Sequence, residues 1–315
     1  MNDNKKLKMF EDMYRIRLFE EKVSEMFSKG ELKGSFHLYL GEEAIAVGTC
    51  AALEESDYIT STHRGHGHVL AKGARSDLMM AEMYAKSTGY CKGKGGSMHI
   101  AVPELGILGA NGIVGAGIPI ATGAGLSSKL QKNGKVVISF FGEGASNQGT
   151  FHESINIASA FKLPVVFVCE NNLYGVGTKQ RNVRNIEDIK DRALAYGIEG
   201  LAVDGNDVEA VFESARKAVK KARSGEGPTL IEYKTYRWHT HFEGEPDTYR
   251  PKEEVREWRE KDPIVRYRKV LSRTIDENVL AEIEKKVRDE IDTAVRFAKE
   301  SPVPSVESAL EGVYA

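Results

Sequence analysis

A carboxylate and a carboxamide stand directly after two short runs that are rich in β-branched and aromatic residues. Glu143 follows residues 136–141, and Asn172 follows residues 165–169. Residues 151–160 carry apolar side chains at helical spacing, which predicts a strand, a loop, a helix and a second, parallel strand. Because the carboxyl ends of parallel strands meet at one edge of a sheet, we expect the two side chains to lie together there. Oxygen ligands of this kind suit a hard cation such as Mg²⁺, which completes its shell with phosphate oxygens and water.

Glycines surround the carboxylate and narrow the kind of anion site that this loop can form. Gly142 and Gly144 flank Glu143 and allow the backbone to approach an anion closely. A phosphate loop of the nucleotide-hydrolase type requires a lysine before its final Ser or Thr, and none precedes Thr150. The dinucleotide fingerprint requires a third glycine where this chain has Asn147. A plain tight turn would leave the polar end of the second strand unexplained.

Residues 60–68 combine histidines with an arginine and glycines, a composition that favours an anion site. Arg64 can bind a phosphate through its planar guanidinium, and the glycines beside it allow close approach. His63, His66 and His68 raise the alternative of a metal site. However, no cysteine or carboxylate joins them, and their spacing is not helical.

A further strand is predicted at residues 228–235, and it would deliver Arg237 and His241 to the same edge as Glu143. Histidine shuttles protons near neutral pH, and an arginine adds positive charge beside a phosphate. The basic, glycine-rich segment 90–99 keeps two interpretations, a solvated turn or a contact to an anion.

The composition is that of an ordinary soluble protein and argues against several functions. A formal net charge of −2 gives no argument for binding nucleic acid or an acidic membrane. Three cysteines without a Cys-x-x-Cys pair, and an N-terminus without a secretion signal, predict a cytoplasmic protein with no zinc site. Residues 105–128 are uncharged and long enough to cross a bilayer, but their seven glycines favour a close-packed loop followed by a buried helix.

Strands and helices alternate along most of the chain and define the expected fold. An amphipathic helix is predicted at residues 5–29, and alternation continues to about residue 235. This pattern predicts an α/β fold with a doubly wound, mostly parallel sheet and helices on both faces. We expect a single domain over residues 1–315, with an N-terminal helix within 1–30 and a helical C-terminal extension over 251–315.

The run Gly142-Glu143-Gly144, followed about thirty residues later by Asn171-Asn172, resembles the thiamin diphosphate signature. From Tyr14 to the tail, the chain resembles the alpha subunit of the first component of 2-oxo acid dehydrogenase complexes, a family with pyruvate, branched-chain and acetoin members. The resemblance implies the thiamin diphosphate-binding fold, with thiamin diphosphate and Mg²⁺ as cofactors. Glu143 departs from the family's aspartate, so its extra methylene must be absorbed by a shift of backbone or metal.

The resemblance also implies roles for individual residues. The metal would be held by the Glu143 carboxylate, the Asn172 side chain and the Tyr174 carbonyl. Arg64 would hold the diphosphate, and the backbone near Gly112 would lie along the pyrimidine ring. The catalytic candidates are His37, His66 and His241. The candidates for cofactor binding are His63, Arg64, Gly112, Val114, Gly142, Glu143, Gly144, Ala145, Asn172, Tyr174, Arg237 and His241.

Two departures from the family pattern bear on the substrate. His63 stands where tyrosine is common, and Phe242 stands where mammalian pyruvate relatives carry a phosphorylated serine. Both favour acetoin cleavage, with transfer of the acetyl unit to a lipoyl group. Pyruvate or branched 2-oxo acids remain the alternative, and a non-catalytic thiamin-binding or regulatory protein is a third possibility.

The resemblance further implies that the chain does not act alone. The expected partners are a beta subunit that carries the pyrimidine-binding half of the site, in an α2β2 assembly, and a lipoyl-bearing acyltransferase component. A self-contained thiamin enzyme of the transketolase type is disfavoured, because 315 residues leave no second domain for the pyrimidine half.

Overall fold

A five-stranded parallel sheet forms the centre of the computed structural model, which describes residues 1–312. The strand order is β1-β2-β3-β7-β6, and every pairing in this sheet is parallel. A separate antiparallel pair, β4 and β5, follows β3. The strands are β1 Tyr58–Thr60, β2 Val137–Gly142, β3 Val165–Asn171, β4 Tyr174–Gly175, β5 Thr178–Lys179, β6 Glu199–Asp204 and β7 Thr229–Lys234.

Helices cover both faces of the sheet, which confirms the predicted α/β fold. Residues of β2 alternate between the two cores: Ile138 and Phe140 pack into one, and Val137 and Phe141 into the other. Because both faces are buried, the strands have continuous apolar runs rather than alternating ones. The helices are α1 Asp3–Ser28, α2 Glu43–Cys50, α3 His66–Ala71, α4 Ser76–Met83, α5 Gly117–Gln131, α6 Gly149–Ala160, α7 Val208–Arg223, α8 Lys252–Arg259, α9 Pro263–Leu271 and α10 Glu277–Glu300.

Local signals set the ends of the long helices. The Asn2 side chain accepts the N–H of Lys5 at the start of α1, and Gly30 follows the helix with φ +72°. Asp207 caps α7 in the same way, through the N–H groups of Glu209 and Ala210. The observed bounds of α1 lie within two residues of the predicted range 5–29.

The C-terminal segment after residue 251 is helical, as expected, through α8, α9 and α10. Helix α10 packs against α1 and α4, and it buries Val287, Ile291 and Val295, which belong to an apolar stripe that runs in four-residue steps from Val279. Val279 at the start of the stripe is exposed. The last part of the predicted extension, residues 313–315, lies outside the described residues.

The uncharged run 105–128 forms a loop followed by α5, but this helix is not buried all round. Ile120, Leu126 and Leu130 project into solvent, with Leu130 74% exposed. The prediction of a buried helix is therefore wrong for this face, because no element of the described chain covers it. Across residues 1–312, no helix is both long and apolar enough to cross a membrane.

Candidate active site

A cavity of about 240 Å³ lies at the carboxyl edge of the sheet. Residues at the ends of β2 and β3 and after β7 line it, together with residues 61–64 and with residues between 111 and 118 at the start of α5. This is the edge at which the sequence predicted the ligand site, and it is where open α/β sheets bind ligands.

Glu143 and Asn172 both line this cavity, as their positions after neighbouring strands predict. Gly142 at the end of β2 is in register with Glu170 of β3. Glu143 and Asn172, which follow these two residues, therefore leave the sheet at the same edge. A Cβ placed on Gly175 would lie 3.6 Å from Oε1 of Glu143, which puts the carboxylate beside the turn that carries Tyr174. Burial raises the pKa of the Glu143 carboxyl, against backbone hydrogen bonds and the charge of Arg237.

The Asn172 side chain is oriented by a buried carboxylate that the sequence interpretation missed. Its Nδ2 donates to Glu42 at 3.2 Å, while Oδ1 accepts only a long bond, 3.4 Å, from the Tyr174 N–H. The Tyr174 carbonyl receives another long bond, 3.4 Å, from Nη1 of Arg237. The amide and carbonyl oxygens therefore stay weakly engaged beside the Glu143 carboxylate. Three oxygen donors of this kind fit a hard divalent cation.

Two buried arginines provide the positive charge of the cavity. Arg64 is 4% exposed and donates to the carbonyls of Leu38 and His241, at 2.7 and 3.0 Å. Arg237 is 2% exposed and donates to the carbonyl of Val176 at 3.0 Å. Burial, together with repulsion from Arg237, lowers the pKa of Arg64 to about 10. The Arg64 guanidinium remains charged near neutral pH, and these contacts fix the positions of both guanidiniums beside any bound anion.

Glu42 and Glu170 add two acidic side chains to the cavity wall. Burial, and repulsion from Glu170, raise the pKa of Glu42 to about 8. Glu170 accepts a hydrogen bond from the Tyr39 hydroxyl and lies 2.8 Å from Nε2 of His68. Only their positions in the sequence could have indicated that these two residues reach the cavity. Glu42 lies just before α2, and Glu170 lies inside β3, just before the Asn171-Asn172 pair.

Three histidines, His37, His63 and His241, meet beside the cavity. The ring centroid of His37 lies 4.8 Å from that of His63 and 4.8 Å from that of His241. The ring centroids of His63 and His241 are 5.3 Å apart. His63 and His241 line the cavity, and His37 packs behind them. Burial, with the charge of Arg64 second, lowers the pKa of His37 to about 3, of His63 to about 2 and of His241 to about 4. All three imidazoles are neutral near pH 7.

His66, the third predicted catalytic histidine, lies away from the cavity. Its ring is fully buried, with Nδ1 2.9 Å from the Glu20 carboxylate and Nε2 2.9 Å from the Ser97 hydroxyl. Both ring nitrogens are thus occupied by protein partners, and neither faces a space that could hold a substrate. This geometry corrects the catalytic assignment of His66 and gives it a structural role between α1 and the 90–99 segment.

The other predicted cofactor contacts fall at or beside the cavity. Gly112 does not line it, and its N–H lies 3.4 Å from Nε2 of His99, but its neighbours Asn111 and Ile113 do line it. The predicted residues that line the cavity are His63, Arg64, Val114, Gly142, Glu143, Gly144, Ala145, Asn172, Tyr174, Arg237 and His241.

The 90–99 segment binds a carboxylate of the same chain, that of Glu82. The buried Glu82 carboxylate accepts the N–H groups of Cys91 and Gly93 at 2.8 and 3.0 Å. It also accepts those of Gly95 and Gly96, both at 2.9 Å. The glycines place backbone donors around one side chain, and these four donors are not free to bind a ligand.

Comparisons with known proteins identify the family of the chain. The sequence model of the family described as "Dehydrogenase E1 component" matches residues 11–307. The chain is 50% identical over its whole length to the alpha subunit of acetoin:2,6-dichlorophenolindophenol oxidoreductase from Bacillus subtilis, of which 95% is covered. The protein of the same name from Cupriavidus necator is 44% identical, over 98% of this chain and 93% of the relative. The chloroplastic pyruvate dehydrogenase E1 component subunit alpha-3 of Arabidopsis thaliana is 40% identical, over 98% of this chain and 74% of the relative. The chain therefore belongs to the dehydrogenase E1 component family, as an alpha subunit that depends on thiamin diphosphate.

Proposed function

We propose that this chain is the alpha subunit of an enzyme that cleaves acetoin and passes the acetyl unit to a lipoyl group of a multienzyme complex. The observation that carries the proposal is the convergence of Glu143, Asn172 and Arg64 on one cavity at the sheet edge. The two acetoin-named relatives support the choice of substrate. Pyruvate or branched 2-oxo acids are the alternative, supported by the pyruvate dehydrogenase relatives.

The residues of the cavity fit a magnesium diphosphate. Mg²⁺ would take the Glu143 carboxylate, Oδ1 of Asn172 and the carbonyl of Tyr174, whose present hydrogen bonds are long and easily displaced. The fixed guanidiniums of Arg64 and Arg237 would offset the charge of the phosphates. When bound, thiamin diphosphate supplies a carbon nucleophile that attacks the substrate carbonyl.

The three neutral histidines fit an uncharged substrate such as acetoin. His63 and His241 line the cavity, where a neutral imidazole can donate a hydrogen bond to a carbonyl or accept one from a hydroxyl. The same ring can take up or return a proton at the reacting oxygen. Phe242 does not line the cavity, but its ring centroid lies 6.3 Å from that of His37 and adds an apolar side chain next to the histidines.

An apolar surface beside the cavity supports the proposed beta subunit. It consists of exposed side chains on the loop before α5, on α5 and on α6: Ile113, Val114, Ile120, Leu126, Leu130, Ile157 and Phe161. Exposed apolar groups gathered on one side of a protein are typical of an interface. A beta subunit placed here would bring the pyrimidine-binding half of the site to the cavity. An α2β2 assembly and a lipoyl-bearing acyltransferase component complete the proposal.

Reconstitution with a beta subunit tests this function. The chain is mixed with a beta subunit of an acetoin-cleaving relative, thiamin diphosphate and Mg²⁺. Reduction of 2,6-dichlorophenolindophenol is then followed with acetoin, pyruvate and a branched 2-oxo acid. We expect reduction with acetoin, and none from either subunit alone. Faster turnover of pyruvate would transfer the assignment to the alternative substrate.

Calorimetry separates a catalytic subunit from a non-catalytic protein. Titration of the chain with thiamin diphosphate and Mg²⁺, with and without the beta subunit, should show tight binding only in the mixture. Tight binding in the mixture without turnover of any of the three substrates would instead favour a regulatory thiamin-binding protein.

A further inference from the structure

The three histidines beside the cavity have the geometry of a site for a transition-metal cation. One nitrogen from each of His37, His63 and His241 lies within 4.8 Å of those of the other two. Three imidazoles around a tetrahedral Zn²⁺ have nitrogens about 3.4 Å apart, given a Zn–N bond of about 2.0–2.1 Å. The rings therefore need to approach one another by no more than about 1.4 Å.

A second observation concerns the His37 ring of the same cluster. His37 is 6% exposed, and its Nδ1 is buried with no hydrogen-bond partner among residues 1–312. An unpaired buried polar atom is unfavourable, so a cation that accepts the lone pair of an imidazole nitrogen would stabilise this ring. His63 and His241 are only partly buried and line the cavity, which leaves them room to turn toward an ion.

We propose that His37, His63 and His241 bind a transition-metal cation such as Zn²⁺ or Co²⁺. The donor set separates this site from the oxygen site at Glu143 and Asn172. Imidazole nitrogens select borderline metals, whereas carboxylate and amide oxygens select Mg²⁺. Three histidines also leave one position of a tetrahedral ion open, as in catalytic zinc sites.

The protonation and charge of the surroundings decide how strongly such an ion is held. The lowered pKa values leave all three rings neutral near pH 7, so a metal does not have to displace protons. The Arg64 guanidinium lies 3.5 Å from Nδ1 of His241 and opposes a second positive charge. The Glu245 carboxylate accepts the backbone N–H of His241 at 2.8 Å, whereas Glu42, 3.9 Å from Nε of Arg64, has a pKa raised to about 8 and is mostly protonated near pH 7. We therefore expect binding weaker than that of a structural zinc site.

Cobalt spectroscopy on the purified full chain tests the proposal without any measurement of activity. Co²⁺ is titrated in excess Mg²⁺, and its visible absorption distinguishes a tetrahedral nitrogen site from an octahedral oxygen site. We expect one tetrahedral Co²⁺ per chain, displaced by Zn²⁺. His63→Tyr keeps an aromatic ring but removes one ligand, and it should weaken binding at least tenfold. His241→Asn should do the same, which guards against a folding defect in either variant.

Two control variants separate this site from other metal ligands. His152→Gln removes an exposed histidine on α6, and Glu143→Gln alters the oxygen site. Both should retain the tetrahedral spectrum with unchanged affinity. The proposal is overturned if the wild-type chain gives no tetrahedral spectrum. It is also overturned if His63→Tyr and His241→Asn, shown to be folded by circular dichroism, bind Co²⁺ as tightly as the wild type.

Discussion

Glu82 and Glu143 are both buried carboxylates, but their surroundings differ in how completely they satisfy the charge. Glu82 accepts four backbone N–H groups of one glycine-rich segment, two on each oxygen. Glu143 lies in an open cavity, receives hydrogen bonds from backbone alone, and feels Arg237 and Arg64 only through their charge. A buried charge is tolerated when its partners are complete. The incomplete set at Glu143 is what the proposed cation site requires, whereas the complete set at Glu82 holds a loop in place.

The histidines repeat this contrast. Both ring nitrogens of His66 have protein partners, while the ring of His37, which packs against His63 and His241, has an Nδ1 without a partner among residues 1–312. Paired polar groups stabilise the fold, and we propose that a ligand pairs the unpaired ones. Substitution of Glu82 or His66 should therefore change stability. Substitution of Glu143 or of a histidine beside the cavity should instead change ligand binding.

The largest effect is expected from Glu82→Ala. It leaves four backbone N–H groups without their acceptor and should lower the free energy of unfolding by on the order of 4 kcal/mol. Urea unfolding followed by circular dichroism measures the change. Glu104→Ala, at an exposed carboxylate, is the matched control and should change stability by less than about 0.5 kcal/mol. An unfolding midpoint equal to that of the wild type would remove the structural role of Glu82.

Glu143→Ala should have the opposite profile. Loss of a metal ligand should weaken binding of thiamin diphosphate with Mg²⁺ about 100-fold, or about 2.7 kcal/mol, in the reconstituted complex. The stability of the free chain should not fall, because a poorly satisfied buried charge is removed. Calorimetry measures the affinity, and Glu153→Ala on the exposed face of α6 is the control. Unchanged affinity would place the metal elsewhere.

His66→Asn tests the contrast between the histidines. The substitution leaves the buried Glu20 carboxylate and Ser97 hydroxyl without a full set of partners, so we expect a loss of about 2 kcal/mol in the free energy of unfolding. His63→Asn should leave stability nearly unchanged and lower turnover by about tenfold or more. The reverse result, with His66 controlling turnover in a fully stable protein, would return His66 to the catalytic set.

The smallest effect concerns pH. The pKa of His63 is lowered to about 2 in the folded chain, so between that value and its ordinary pKa near 6.5 the unfolded state binds more protons. Stability therefore falls as the pH drops below about 6.5. Each such histidine contributes at most about 1.4 kcal/mol per pH unit. His63→Tyr should reduce the slope between pH 6 and 4 by up to this amount. An unchanged slope in urea unfolding would show that His63 is not a neutral group in the folded state.

Short-range patterns in the sequence were sufficient for the frame of the site. Strand length and register place Glu143 and Asn172 at one edge, because parallel strands that start together also end together. The same reasoning brings Arg237 and His241 to that edge after β7. By contrast, β1 has only three residues, too few for a pattern to reveal it.

The partners of the buried polar groups were decided only by the tertiary structure. Glu42 meets Asn172 across 130 positions, and Tyr39 meets Glu170 across 131. The anion that binds the 90–99 segment is Glu82, and no periodicity identifies it. Sequence spacing reports which face of an element a residue occupies, within a turn or a strand. Which distant side chain fills the space opposite depends on how whole elements pack, and that information is spread over the entire chain.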